Sequence, residues 1–376
     1  MIRSRALGLA FACASLAAAA PAAAPAGAGT SGAAEPPGAP PAAGLAWRDN
    51  PPVDQLLPPG GGRPVLLYFT APWCGPCKLM EKEVFANPAG REEFARYELV
   101  RLDLENEAGR AVADSFRIAT VPTFVMLAPG GGEIERIRGY RSRRLLLRDL
   151  ARFRSGEGTR AALEQQLAAS PLDRRLQIEL GLRCYESLDF DAATRLLAGA
   201  WQDAAAVPET LVAEGARALA DIHRRRGEPG AGVAVLERLV ETRSDHAFPR
   251  VSWQMLAACR RESGDSLGAV AALREAAFIE PVRADALVEF ARAAAARSLA
   301  LGDTALAEAE AAARRAVALT DRTDADALAA LADVLRQRRR YPEAMLWIRR
   351  AMAAAPVDPR WPQQRELILE AAIHGE

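Results

Sequence analysis

Between residues 65 and 138 the chain sets short apolar runs between turn-forming residues, which is the pattern of strands. Val65-Leu66-Leu67-Tyr68-Phe69-Thr70 reads as a first strand, followed by a turn at Ala71-Pro72-Trp73 and a helix. Glu98-Leu99-Val100-Arg101-Leu102-Asp103 alternates and predicts a second strand, and Thr123-Phe124-Val125-Met126-Leu127 predicts a third. Gly131-Gly132 would turn a hairpin into Glu133–Arg138, and Gly139 precedes a helix over Arg141–Arg154. After Phe153 the strand pattern stops. Ala, Leu, Arg and Glu at helical spacing then continue to Ala355.

That helical half is self-similar at a period of about 34 to 40 residues. One copy carries Trp253, Leu256, Ala257, Gly264-Asp265, Ala269, Leu273, Ala276 and Pro281. A second carries Leu328, Leu331, Ala332, Leu335, Ala344, Ile348, Ala351 and Pro356. Looser copies start at Leu180-Gly181 and Leu219-Ala220, and another, from Leu287 to Thr320, has inserted residues before Gly302-Asp303. Small residues recur where paired helices approach closely, and proline ends the second helix of a pair. The positions resemble the tetratricopeptide repeat, with about five copies; a generic helical bundle is the competing reading. His223 with Arg224-Arg225-Arg226, and the run Arg336 to Arg340, read as solvated helix ends whose charge suits the helix dipole.

Composition narrows the class. The 376 residues carry 48 Lys and Arg against 48 Asp and Glu, and half are apolar. That balance describes an ordinary globular chain and gives no basic excess for nucleic acid. The five cysteines are Cys13, Cys74, Cys77, Cys184 and Cys259. Cys184 and Cys259 fall within apolar helical runs, where buried structural thiols are expected. Cys74 and Cys77 stand apart from these. Two residues separate them at the start of a helix, close enough to form and break a disulfide, and the helix N-terminus favours a thiolate. Half of a zinc site has the same spacing, but no second such pair exists and the histidines are only His223, His246 and His374. No metal or cofactor is implied.

The run Trp73-Cys74-Gly75-Pro76-Cys77-Lys78, together with Ile118-Ala119-Thr120-Val121-Pro122-Thr123-Phe124 ahead of the third strand, resembles the thioredoxin family over about Leu45 to Ser155. The implied fold class is an α/β thioredoxin-like domain followed by an all-α tetratricopeptide-type superhelix. The resemblance implies a cis bond before Pro122 and pairing of the Val121 backbone with an extended substrate. Cys77-Lys78-Leu79-Met80-Glu81, Val84-Phe85 and Asn87-Pro88 are similar to thioredoxin-like domains exported across the bacterial inner membrane, such as the C-terminal domain of the transmembrane thiol-disulfide interchange reductant. One departure bears on mechanism: the buried Asp that the family usually carries is replaced by Tyr68. Glu81, one helical turn beyond Cys77, is the candidate for the missing base; a solvated surface Glu is the alternative.

Arg3 and Arg5, a short apolar stretch and an Ala-rich tract with A-x-A sites read as a signal peptide over residues 1–28. Residues 29–44 are expected to be a disordered Ala/Pro/Gly tether. A thioredoxin-like domain at 45–155, tetratricopeptide-like repeats at 160–356 and a C-terminal helix or tail at 357–376 complete the division, with Ser155-Gly156-Glu157-Gly158 as the joint. The protein is expected to be exported to the periplasm, with lipid or leader anchoring as the alternative. The expected function is reduction of protein disulfides, in which Cys74 attacks and Cys77 resolves, while Trp73, Gly75 and Pro76 shape the loop. Its partners would be protein disulfide substrates, an unidentified membrane electron donor, and a protein or peptide on the repeat surface. A disulfide isomerase, a cytochrome-maturation thiol reductant, or a redox-silent scaffold are the alternatives.

Overall fold

The structure is a computed structural model, and it describes residues 45–58, 60–201, 207–242 and 249–374. The expected signal peptide and tether lie outside the described residues. Among the described residues, five strands form one sheet in the order β1-β3-β2-β4-β5: β1 (Trp47–Asp49), β2 (Val65–Thr70), β3 (Glu98–Asp103), β4 (Thr123–Leu127) and β5 (Glu133–Arg138). β1 and β2 both run parallel to β3, while β4 is antiparallel to β2 and to β5. Every residue of β2 is buried, which explains its unbroken apolar run.

Alternation along β2 builds two cores. Leu66 and Tyr68 face one way, into a cluster with Met80, Phe94, Phe124, Leu146 and Leu150. That layer is made by α1 (Gly75–Met80), α2 (Pro88–Phe94) and α4 (Arg143–Arg154). Val65, Leu67 and Phe69 face the other way, against Val100, Leu102, Val125 and Val112 of α3 (Glu107–Ser115). Strand β1 was not legible in the sequence: three residues are too few for a periodic signal, and its Trp47 is placed by rings of Tyr68 and Phe85 at 5.7 and 5.2 Å. The last helix of this layer starts at Arg143, not Arg141. Arg141 is drawn out of the first turn by an ion pair with Glu186.

The chain then turns sharply through Gly156 and Gly158, both at positive φ, into α5 (Arg160–Ala169). Five helix pairs follow, one for each copy of the sequence repeat: α6 (Arg174–Glu186) with α7 (Phe190–Ala200), α8 (Glu209–Arg225) with α9 (Pro229–Thr242), α10 (Arg250–Glu262) with α11 (Ser266–Phe278), α12 (Ala284–Ala295) with α13 (Ser298–Leu319), and α14 (Ala325–Gln337) with α15 (Tyr341–Ala354). A final helix, α16 (Arg360–His374), packs on α15. Asp173, Asp189, Asp265 and Asp324 cap α6, α7, α11 and α14 through their side chains. The inserted residues of the fourth pair are accommodated at Gly302, whose φ of 75° and ψ of 177° break α13 near its start.

The arginine-rich helix ends differ from the expectation of solvated charge. Arg224 and Arg225 fold back onto Asp221, which is 2% exposed, and Arg314, Arg338 and Arg340 converge on Glu310, also 2% exposed. A buried carboxylate needs hydrogen-bonded countercharge, and these arginines supply it. His223 meets Glu228 at 2.9 Å.

Candidate active site

Strand β2 delivers the chain to the cysteine pair. After Thr70 the turn is closed by the Cys74 N–H on the Ala71 carbonyl at 3.0 Å, and Cys74 becomes the N-cap of α1. Its Sγ accepts the Cys77 N–H at 3.1 Å. Cys74 and Cys77 are joined as a disulfide, with Cα atoms 5.2 Å apart. Gly75, Pro76 and Trp73 lie exposed around it, Trp73 at 66%. The residues that could form a loop for a partner's disulfide are therefore outward, while the sulfur-bearing residues are nearly covered, at 3% and 1%.

Behind the pair lies Tyr68, fully buried, its hydroxyl 3.5 Å from the Cys77 carbonyl. Burial pushes its phenol up to about 12; a hydrogen bond with Thr70 opposes this and the negative charge of Glu81 adds to it. Tyr68 thus keeps its proton at neutral pH and cannot replace a carboxylate as a base. Glu81 is half-buried one turn beyond Cys77, its N–H donating to the Cys77 carbonyl at the point where the helix widens into a π turn over Glu81–Phe85. Its charge is felt by both Tyr68 and Arg101.

The antiparallel pairing of β4 with β2 sets Thr123 opposite Phe69, so the residues just before β4 lie beside the turn just after β2. Pro122 is buried, with a cis bond from Val121. Val121 packs against the cluster that contains both cysteines. Thr123 Oγ1 donates to the Thr120 carbonyl at 2.7 Å, and the Gly139 N–H donates to the Pro122 carbonyl at 2.7 Å. Cys74, Cys77, Val121 and Pro122 are together at one end of the sheet; Glu81 lies one helical turn beyond Cys77.

One residue of this surface escaped the sequence reading. Trp73 Nε1 donates to Glu105 Oε1 at 2.9 Å. Glu105 follows β3, whose end is tied to that of β2 by the Leu104 N–H on the Thr70 carbonyl at 3.0 Å. Neighbouring parallel strands end side by side, so an acidic residue just past the second strand was the available signal.

A disulfide-linked Cys-X-X-Cys pair on a short helix, at the end of the central strand of a mixed sheet with helices on both faces, is an arrangement suited to thiol–disulfide exchange. Residues 58–153 match the family described as a thioredoxin-like domain. The chain is 30% identical over 92 residues to thioredoxin of Mycolicibacterium smegmatis, covering 24% of this chain and 80% of that protein. It is 35% identical over 79 residues to thiol:disulfide interchange protein DsbD 1 of Pseudomonas aeruginosa, covering 20% of this chain and 13% of that one. Among solved structures, the tetratricopeptide protein YrrB aligns over 56% of this chain and 97% of its own, with 14% identity and a TM-score of 0.43. The chain belongs to the thioredoxin family, and among the described residues its thioredoxin-like domain is followed by helix pairs that recur with the tetratricopeptide-like spacing of the sequence.

Proposed function

We propose that this protein reduces disulfides of protein substrates in the bacterial cell envelope, with Cys74 and Cys77 as the redox pair and the repeats as a partner-binding region. The observation that carries the reading is the Cys74–Cys77 disulfide set against the Val121-Pro122 loop. In the reduced protein the Cys74 thiolate attacks one sulfur of the substrate disulfide. That bond breaks, the leaving sulfur departs as a thiolate and takes a proton, and a mixed disulfide forms. Cys77 then loses its proton, with Glu81 as the acceptor through water, and attacks Cys74 Sγ. The Cys74–Cys77 disulfide closes and the second substrate sulfur leaves as a thiolate. Two electrons pass to the substrate, and a dithiol donor must return them.

The Gly75-Pro76 dipeptide supports the reducing direction, as in thioredoxin at about −270 mV and unlike strong oxidants near −120 mV. The likeness to a thiol:disulfide interchange protein and the expected leader support the envelope and a membrane donor. No helix among the described residues is long and apolar enough to cross a membrane. For the repeats, a groove of about 680 Å³ with an apolar floor of Val270, Leu273 and Val288 and charged rims at Arg261, Asp285 and Glu289 suits an extended segment of a partner. Reduction of insulin disulfides by the wild type, abolished by Cys74→Ser, tests the reading. An inert wild type would favour the scaffold alternative.

A further inference from the structure

We infer that Glu186, at the end of α6 in the first helix pair, is a positioning residue for the Val121-Pro122 loop, so that the repeats hold the substrate side of the redox site. This rests on the reductase reading for its kinetic consequence but not for its structural one.

β5 is an edge strand of the sheet. Arg136 and Arg138 alternate along it, and an edge leaves such N–H groups without a ladder partner. Here both are occupied by carboxylates. The Arg136 N–H donates to Glu135 Oε1 at 3.1 Å, and the Arg138 N–H donates to Glu186 Oε2 at 3.2 Å. Glu135 in turn accepts the Arg160 N–H at the start of α5, at 2.9 Å. Each half of the chain therefore supplies a buried carboxylate to a backbone donor of the other.

Glu186 does more than close the edge. It is 8% exposed, and it also accepts from Arg138 Nε at 3.2 Å and from Arg141 Nη2 at 3.0 Å. Arg138 Nη2 donates to the Tyr185 carbonyl at 2.7 Å, with its guanidinium 4.6 Å from the centroid of the Tyr185 ring. Tyr185 is itself held by its hydroxyl on Asp221 at 2.7 Å. The segment gripped in this way is the one that carries the loop: Arg138 pairs across the sheet with Thr123, and Gly139 donates to the Pro122 carbonyl. A charge-assisted, partly buried clamp on residues 138–141 fixes the far side of a loop whose backbone must meet a substrate strand. The cysteines depend on β2 and α1, which this clamp does not touch. Binding of extended protein disulfides and reaction with small disulfides should therefore separate.

The test uses the full chain, wild type, Glu186→Ala and Glu186→Gln, with dithiothreitol as reductant. Glu186→Ala should raise KM for insulin at least fivefold with kcat within twofold, while the reduced protein attacks dithiobis-nitrobenzoate within twofold of the wild-type rate. Glu186→Gln, which keeps an acceptor for Arg138, should fall between. Hydrogen exchange at the Gly139 amide should accelerate at least tenfold in Glu186→Ala. If that variant does not fold, Arg141→Ala removes one partner of the carboxylate and should raise the insulin KM at least twofold. An unchanged KM for insulin, or a parallel fall in both reactions, would overturn the inference. A wild type inert toward both disulfides would refute the reductase reading instead, and Gly139 exchange would still decide the clamp.

Discussion

Cys74 caps the helix on which Cys77 lies one turn along, and the proposed order, Cys74 attacking and Cys77 resolving, rests on this asymmetry. Cys77→Ser should accumulate mixed disulfides with substrates, and Cys74→Ser almost none; equal accumulation on non-reducing gels would reverse the assignment. Glu81→Gln should slow release of the mixed disulfide and move its pH–rate profile upward, because Cys77 would then reach its thiolate only with more hydroxide present. An unshifted profile returns Glu81 to a surface charge. At this scale the cysteine pair was legible because both thiols fall within one turn of sequence. Glu105 was not, since it reaches Trp73 from 32 residues away through the side-by-side ends of two strands. Glu186 lies 48 residues from Arg138, and nothing in local pattern distinguishes it from a helix-surface carboxylate.

Elements follow the same logic. Periodicity located β2 to β5 and the repeat pairs because each has a buried face with a regular period. It could not show that the arginines ending α8 and α14 turn inward, because burial of Asp221 and Glu310 is created by neighbouring helices. The small positions of the repeats carry a direct expectation. A Cβ at Gly232 of α9 would stand 2.9 Å from both the Ala220 carbonyl oxygen and Cys259 Sγ. Gly232→Val should therefore cost about 1–3 kcal/mol by overpacking, read as a lower urea midpoint for loss of helical circular dichroism. Cys259 itself sits behind that contact, its thiol pushed up to about 11 by burial, which fits a packing role.

For the whole molecule, the turn at Gly156 and Gly158 proves to be short and tight, and the two carboxylate bridges make the first helices a wall of the redox domain. A fragment spanning residues 45–155 should still reduce a small disulfide at near the full-length rate, because both thiols and both core clusters lie within it. It should lose affinity for insulin severalfold, as is expected of Glu186→Ala, and lose any preference for a native partner. A fragment inactive toward small disulfides as well would mean that the helices are needed for the fold of the domain itself.

The break at Gly302 has a separate use. In a stack where each unit touches only its neighbours, an irregularity is confined to its own pair; the next pair begins normally at the Asp324 cap. The short stretch before the break carries Leu299 into solvent with its whole side chain uncovered. That makes residue 299 an anchorage for a dye or a surface tether, from which the molecule can be watched or immobilised without the redox end being disturbed.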